Sequence, residues 1–181
     1  MTVTVMNAAL KPLLEAHLPA WVEPRWYTTK EEVFALAPEA EIGWYDMYTK
    51  ADVNAAVTRS ERLRWLNTGY AGLEWFPLDW MAQRGARLTN GAGINAITIA
   101  EYVVMGMLSF AKQYPAVLAA QARGEWLKDS PGKRELFESR ALILGLGAIG
   151  QEIARRLEAF GVEVTKVRRT PGPGTLGPDQ W

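Results

Sequence analysis

The chain has 181 residues, 49% hydrophobic and 22% charged, which excludes a disordered or fibrous protein and leaves room for one large globular domain or for one complete domain plus part of a second. Lysine plus arginine equals aspartate plus glutamate at 20 each, so no overall positive field exists to hold nucleic acid or an anionic membrane. The absence of cysteine removes disulfides, thiolate catalysis and thiolate metal sites; no metal site is expected, and the cytoplasm is the default expectation.

Apolar runs alternate with helical patterns from the first residues, the signature of a parallel sheet wrapped by helices. Thr2 to Met6 is expected as a strand, Ala8 to Leu18 as a helix, and Trp21 to Tyr27 and Glu41 to Tyr45 as two further strands separated by a helix over Lys30 to Leu36. Ala51 to Val57 reads as helical, Leu63 to Leu66 as a strand, Pro77 to Arg84 as a helix stopped by Gly85, and Ala86 to Thr89 as a fifth strand. Five strands with intervening helices predict an α/β, flavodoxin-like parallel-sheet domain over residues 1–92. The opening segment has charged residues scattered through it and does not read as a signal peptide. The only histidine, His17, lies in the amphipathic first helix and is assigned no chemistry.

Residues 93–181 are expected to hold linker helices and a truncated Rossmann domain. After the turn cluster Asn90 to Asn95, apolar residues from Ile97 to Ala111 recur at three- and four-residue spacing, predicting a long buried helix rather than a membrane span, since Asn95 and Glu101 interrupt the apolar run. Pro115 suits the first turn of a following helix, which Gly124 ends. Ala141 to Leu144 is then a short apolar strand, followed by Gly145-Leu-Gly-Ala-Ile-Gly150, a helix carrying Ile149, Ile153, Leu157 and Phe160 on one face, and a strand from Val162 to Val167.

A GxGxxG string alone is weak, but strand, glycines, helix and second strand stand here in the order a dinucleotide site requires. Gly145 permits the tight turn, Gly147 lets a pyrophosphate approach the backbone, and Gly150 lets helix and strand pack closely. The free N–H groups at the helix start, around Ala148 and Ile149, then face the anion with the positive end of the helix dipole. At the end of the second strand a carboxylate would bind the ribose hydroxyls of NAD, but Arg168 and Arg169 stand there instead. Paired guanidinium groups suit a 2′-phosphate and argue for NADP(H) over NAD(H); a merely solvated basic pair is the alternative.

Several spaced motifs together resemble the D-isomer-specific 2-hydroxy acid dehydrogenases, from about Glu41 to Pro171. Leu66-Asn-Thr-Gly-Tyr-Ala-Gly-Leu-Glu74 resembles that family's glycine-bearing substrate loop, Thr89-Asn-Gly-Ala-Gly93 with Thr98-Ile-Ala-Glu101 its hinge and linker helix, and Arg123-Gly-Glu-Trp126 the stretch before its nucleotide domain. Gly145 to Gly150 and Phe160-Gly161 complete the order. The resemblance implies an oxidoreductase, of the glyoxylate or hydroxypyruvate reductase kind, that transfers a hydride between a nicotinamide cofactor and a small 2-oxo or 2-hydroxy acid. It implies that Ala71 and Gly72 offer backbone N–H groups to the acid's carboxylate, that Thr98 lies beside the nicotinamide end of the cofactor, and that Tyr48 and Tyr70 line the pocket.

Each role has a plainer competitor, since Gly69 and Gly72 also shape a turn and Thr98 also suits a helix cap, while Glu101, near the helix start, is read as structural, favouring the helix macrodipole or a local hydrogen bond. In the family the arginine, acidic residue and histidine of catalysis lie downstream of the β-α-β unit, at positions this chain does not have. The chain is therefore expected to be a fragment, inactive alone and homodimeric through the helices around Glu101 to Leu118. The alternative is a non-catalytic dinucleotide-binding or split module that needs a partner chain.

Overall fold

The computed structural model describes residues 1–47 and 49–180, which divide into two compact units, Met1–Ala92 and Gly93–Trp181. In the first unit, β1 (Thr2–Asn7), β2 (Val22–Tyr27), β3 (Ile42–Trp44), β4 (Trp65–Asn67) and β5 (Arg87–Thr89) form one parallel sheet in the order β2-β1-β3-β4-β5. This is the flavodoxin-like order, with its switch point between β1 and β3.

The register places Val5, Gly43, Leu66 and Leu88 side by side on one face of the pleat. That face carries the core: Val5, Tyr27 and Leu66 pack with Val33 of α2 (Lys30–Leu36), Val53, Ala56 and Val57 of α3 (Lys50–Arg59) and Met81 of α4 (Leu78–Gln83). Gly43 leaves a gap in the row because the Tyr45 ring fills it; a Cβ there would lie 2.6 Å from the ring. The buried Tyr45 hydroxyl meets Ser60 Oγ at 2.8 Å, so this polar group is satisfied inside the core.

Two expectations in this unit need correction. The helix expected from Ala8 to Leu18 is broken into 3-10 turns at Ala8–Leu10 and Glu15–His17 around one α-helical turn, α1 (Lys11–Leu14). Pro12 explains this, because it has no N–H to bond the carbonyl of residue 8 and so begins a helix rather than continuing one. The strand expected at Leu63 to Leu66 begins later, at Trp65, since the Leu63 N–H is spent on Ser60 O in the turn that ends α3.

In the second unit α5 (Ala96–Ala111) and α6 (Tyr114–Ala122) precede the unit β6 (Arg140–Leu144), α7 (Ala148–Ala159), β7 (Glu163–Val167), with β6 and β7 paired in parallel. Pro115 occupies the first turn of α6 and Gly124, in the left-handed region, follows its end. Val104, Ala111, Leu136, Leu157 and Val162 make the core. Glu101 and Arg156 pair at 3.6 Å, and a Cβ on Gly93 would lie 3.5 Å from Ala148 Cβ. Since 93 to 101 and 148 to 156 are equal steps, α5 and α7 run parallel, with their N-termini at one end.

The long helix is not buried all round as expected. Ala96, Ala100, Val104 and Ala111 are buried, and these small side chains let α5 approach α7, whereas Ile97, Tyr102, Met105 and Phe110 are exposed. The α7 stripe is likewise narrower: Gly150, Ala154 and Leu157 are buried, while Ile149 and Phe160 are partly exposed. Among the described residues no single helix is long and apolar enough to cross a membrane.

Candidate functional site

The β6–α7 turn is built by its glycines. Gly145 has φ of +102°, which L-residues rarely adopt, and its N–H bonds the Val167 carbonyl at 2.9 Å, tying the turn to the end of β7. Space is open around Gly147, where a Cβ would meet nothing within 4 Å, whereas a Cβ on Gly150 would strike the Gly145 carbonyl oxygen at 2.1 Å. Gly147 is the N-cap of α7 and supplies no capping side chain, and no acidic residue lies in the first turn. Ala148 and Ile149 thus begin a helix whose first amide donors and positive dipole end are free for an anion. Thr98 is exposed on the first turn of α5, at the same end of the unit as this turn.

Arg168 and Arg169 follow β7 directly and are exposed. The Arg168 N–H bonds Leu176 O at 3.1 Å, so the chain from 170 to 176 folds back beside the strand end and fixes the backbone from which Arg168 projects. Neither guanidinium group makes an ion pair among the described residues.

Two local roles are corrected. Thr98 does not cap α5, whose N-cap is Asn95. Glu101 lies beyond the first helical turn, too far in for the macrodipole role; it instead pairs with Arg156, itself bonded to Glu152. Those bonds, first from Arg156 and then from Arg155, hold the Glu152 carboxyl below its ordinary range.

In the first unit the segment after β4 is an exposed loop over Tyr70, Ala71 and Gly72. The Ala71 and Gly72 N–H groups donate to nothing among the described residues, while Asn90 Nδ2 donates to Ala71 O at 2.7 Å and Gly91 N–H to Tyr70 O at 3.1 Å. The Glu74 carboxylate lies over Gly72, 2.7 Å from where a Cβ would be, on a side chain able to swing away. Tyr70 donates its hydroxyl to Met47 O at 3.1 Å and sets its ring edge-on to Trp75. Tyr48, also expected to line a pocket, lies outside the described residues.

Sequence reasoning missed Asp46. Its carboxylate accepts three hydrogen bonds at 2.7 Å, from Trp44 Nε1, Thr68 Oγ1 and the Gly69 N–H. The signal was in the register: β3 and β4 are parallel with Trp44 opposite Asn67, which puts Asp46 level with Gly69 just past the strand ends. Asp46 and Tyr70 line a cleft of about 430 Å³ at the carboxyl ends of β1 to β3, with Asn7, Tyr27, Lys30 and Asp52. Burial pushes the Tyr27 hydroxyl far above the ordinary phenol range, and the charge on Asp46 pushes it further, against a lowering by Asn7. Tyr27 is therefore a neutral wall of the cleft.

A parallel β-α-β unit with a glycine turn opening onto a bare helix N-terminus defines a dinucleotide-binding α/β protein. Residues 104–177 match the model of the D-isomer specific 2-hydroxyacid dehydrogenase NAD binding domain. The chain is similar to the D-isomer specific 2-hydroxyacid dehydrogenases, both in this match and along most of its length. It is 28% identical over 166 residues to a D-3-phosphoglycerate dehydrogenase of Mycobacterium tuberculosis, covering 91% of this chain and 31% of that protein. A hydroxypyruvate reductase of Thermotoga maritima is 25% identical over 135 residues, covering 75% of this chain and 44% of the relative. Among solved structures, a D-isomer specific 2-hydroxyacid dehydrogenase family protein from Aeromonas salmonicida superposes with a TM-score of 0.80 at 29% identity, over 97% of this chain and 56% of that one. The chain thus spans about a third of the phosphoglycerate dehydrogenase and under half of the reductase.

Proposed function

We propose that the chain is part of an oxidoreductase that moves a hydride between NADP(H) and a small 2-oxo or 2-hydroxy acid, of the size of glyoxylate or hydroxypyruvate. The observation that carries this reading is the Gly145 to Gly150 turn, joined through the Gly145–Val167 hydrogen bond to a strand end followed by arginine rather than a carboxylate. The glycines fit the cofactor: the space over Gly147 admits a pyrophosphate, and Gly145, Ala148, Ile149 and Gly150 frame the helix start that receives it. Arg168 and Arg169 serve the 2′-phosphate, and Thr98 the nicotinamide end. The bound cofactor supplies the hydride chemistry.

The acid's carboxylate is held by the Ala71 and Gly72 N–H groups, which donate to nothing among the described residues, with Tyr70 lining the pocket. The reaction also needs a proton donor at the carbonyl oxygen, and the chain's single histidine, His17, is exposed in the 3-10 turn before β2. Taken alone, the 181 residues therefore bind cofactor without turnover. Two copies pair through the exposed faces of α5 and α6, and the protein works in the cytoplasm.

Calorimetric titration of the purified chain with NADPH, alongside an assay of NADPH oxidation by glyoxylate, tests this reading. Binding with no turnover is expected. No heat of binding with either NADPH or NADH would overturn the cofactor assignment, and turnover by chain shown pure by mass spectrometry would overturn the division of labour.

A further inference from the structure

We propose that Asp46 is the positioning and specificity-determining residue of the acid site: it holds the glycine loop in its anion-binding form, and its charge restricts the acid to one whose distal end carries no negative charge. This rests on the reading of Ala71 and Gly72 as the carboxylate site.

The holding role follows from the bonding. Asp46 Oδ2 receives both Trp44 Nε1 and the Gly69 N–H, and Oδ1 receives the Thr68 hydroxyl, so one carboxylate joins the end of β3 to the first two residues of the loop. Thr68 passes the constraint on, since its Oγ1 accepts the Tyr70 N–H at 3.2 Å. The next two amides, Ala71 and Gly72, donate to nothing among the described residues. Without Asp46, Gly69 N–H and Trp44 Nε1 lose their acceptor, and the loop loses its attachment to the strand beside it.

The selective role follows from the charges in the cleft. Lys30 is committed to Asp52, at 2.5 Å from its Oδ1, and also lies over the Phe34 ring. Asp46 has no cationic partner among the described residues; its three donors are neutral. The charged groups lining the cleft are therefore Lys30, Asp46 and Asp52, a net charge of −1. Tyr70, which precedes Ala71, lines this cleft together with Asp46, so an acid anchored on the loop whose distal end turns into the cleft meets the Asp46 carboxylate. A second carboxylate or a phosphate is repelled there, whereas a hydrogen atom, a hydroxyl or an apolar group is admitted.

An Asn substitution separates the two roles. Its side-chain oxygen replaces Oδ2 as acceptor for Trp44 and Gly69, and its amide donates to Thr68 Oγ1 once that hydroxyl turns, so the hold survives while the charge goes. The experiment uses the isotope-labelled 181-residue chain, its Asp46→Asn and its Asp46→Ala variants. Amide exchange is read at Gly69, and backbone shifts at Ala71 and Gly72 are followed during titration with oxamate, a monoanionic 2-oxo acid analogue, and with the dianion 2-oxoglutarate. In the unsubstituted chain oxamate is expected to bind at least tenfold more tightly than 2-oxoglutarate. Asp46→Ala should speed Gly69 exchange at least tenfold, whereas Asp46→Asn should keep it slow and narrow the preference for oxamate at least threefold. Should Asp46→Ala fail to fold, the Asn variant and a Thr68→Val variant, which removes one of the three bonds, carry the exchange test. Unchanged Gly69 exchange in the Ala variant or in Thr68→Val, or exchange as fast in Asn as in Ala, overturns the holding role; an unchanged preference in Asn overturns the selective one. If neither acid moves the Ala71 and Gly72 signals, the carboxylate-site reading falls and the selective role with it, while the exchange measurement still decides the hold.

Discussion

The Gly145 carbonyl occupies the space that a side chain on Gly150 would need, with only 2.1 Å between that oxygen and an added Cβ. The obstacle is backbone on one side and helix on the other, so neither can give way without moving the β6–α7 turn. Gly150→Ala should destabilise the second unit by about 1–3 kcal/mol, the range for overpacked sites. Gly147→Ala meets no atom within 4 Å and has an ordinary φ of −80°, so its stability should change by no more than about 0.5 kcal/mol, while NADPH affinity falls because the methyl group takes the pyrophosphate's place. Urea denaturation and calorimetry on both variants separate the two roles; equal loss of stability in both would refute the distinction.

Glu32 gives a pH-dependent prediction. Its carboxylate accepts the Thr28 N–H at 2.7 Å, the Thr28 hydroxyl at 2.8 Å and the Thr29 N–H at 3.1 Å, while Thr29 caps α2 in return. These bonds, the Thr28 N–H first, lower its pKa. A carboxyl with a lowered folded-state pKa contributes stability that is complete above its unfolded value, about 4.3, and is lost as pH falls through the folded value. Glu32→Ala should therefore be less stable than the unsubstituted chain at pH 7, with the gap shrinking as pH drops below about 4. Urea midpoints across that range are the check, and a gap independent of pH would show that the carboxylate's charge is irrelevant.

Much of the fold was legible because it depends on local chemistry. The helix over Lys30 to Leu36 begins and ends as expected, for its capping box and apolar spacing are both written in sequence. The first helix failed at Pro12, where amphipathic spacing continued but backbone bonding could not. Burial of α5 was overestimated because periodicity marks an apolar stripe without saying whether a neighbour covers it. Asp46 escaped notice for a different reason: its partners are two residues away on one side and 22 and 23 away on the other, and only the pairing of β3 with β4 brings them together.

The outward face of α5 and α6 supplies a prediction about assembly. Tyr102 is 67% exposed and Phe110 71%, with Met105, Tyr114 and Leu118 also exposed, so these two helices present a broad apolar surface. Light scattering should find the chain dimeric. Replacing Tyr102 and Phe110 together with Glu should give monomer without unfolding, because neither side chain belongs to the buried core of the unit. A monomer before substitution would overturn the assignment.

Cofactor choice rests on Arg168. The residue follows Val167, whose carbonyl receives the Gly145 N–H, so the guanidinium group projects from the strand end that is tied to the glycine turn. Its backbone is fixed by the bond to Leu176 O, and its side chain is exposed without an ion-pair partner among the described residues. A 2′-phosphate reaching this position would gain charge-assisted hydrogen bonds, each worth about 1.5–3 kcal/mol, whereas the 2′-hydroxyl of NADH would gain little from a cation. NADPH should therefore bind the unsubstituted chain more tightly than NADH. Arg168→Asp should weaken NADPH roughly tenfold or more, a change of about 1.4 kcal/mol, because the substitution both removes the donor and sets a carboxylate against the phosphate. The same carboxylate can bond the ribose hydroxyls, so NADH binding should hold steady or improve. Arg169, one residue further along the exposed loop, should matter less, and Arg169→Asp serves as the control for a general loss of positive charge. Calorimetric titration of the three chains with both cofactors decides the matter: equal affinities for NADPH and NADH in the unsubstituted chain would make the arginine pair a solvated loop and nothing more.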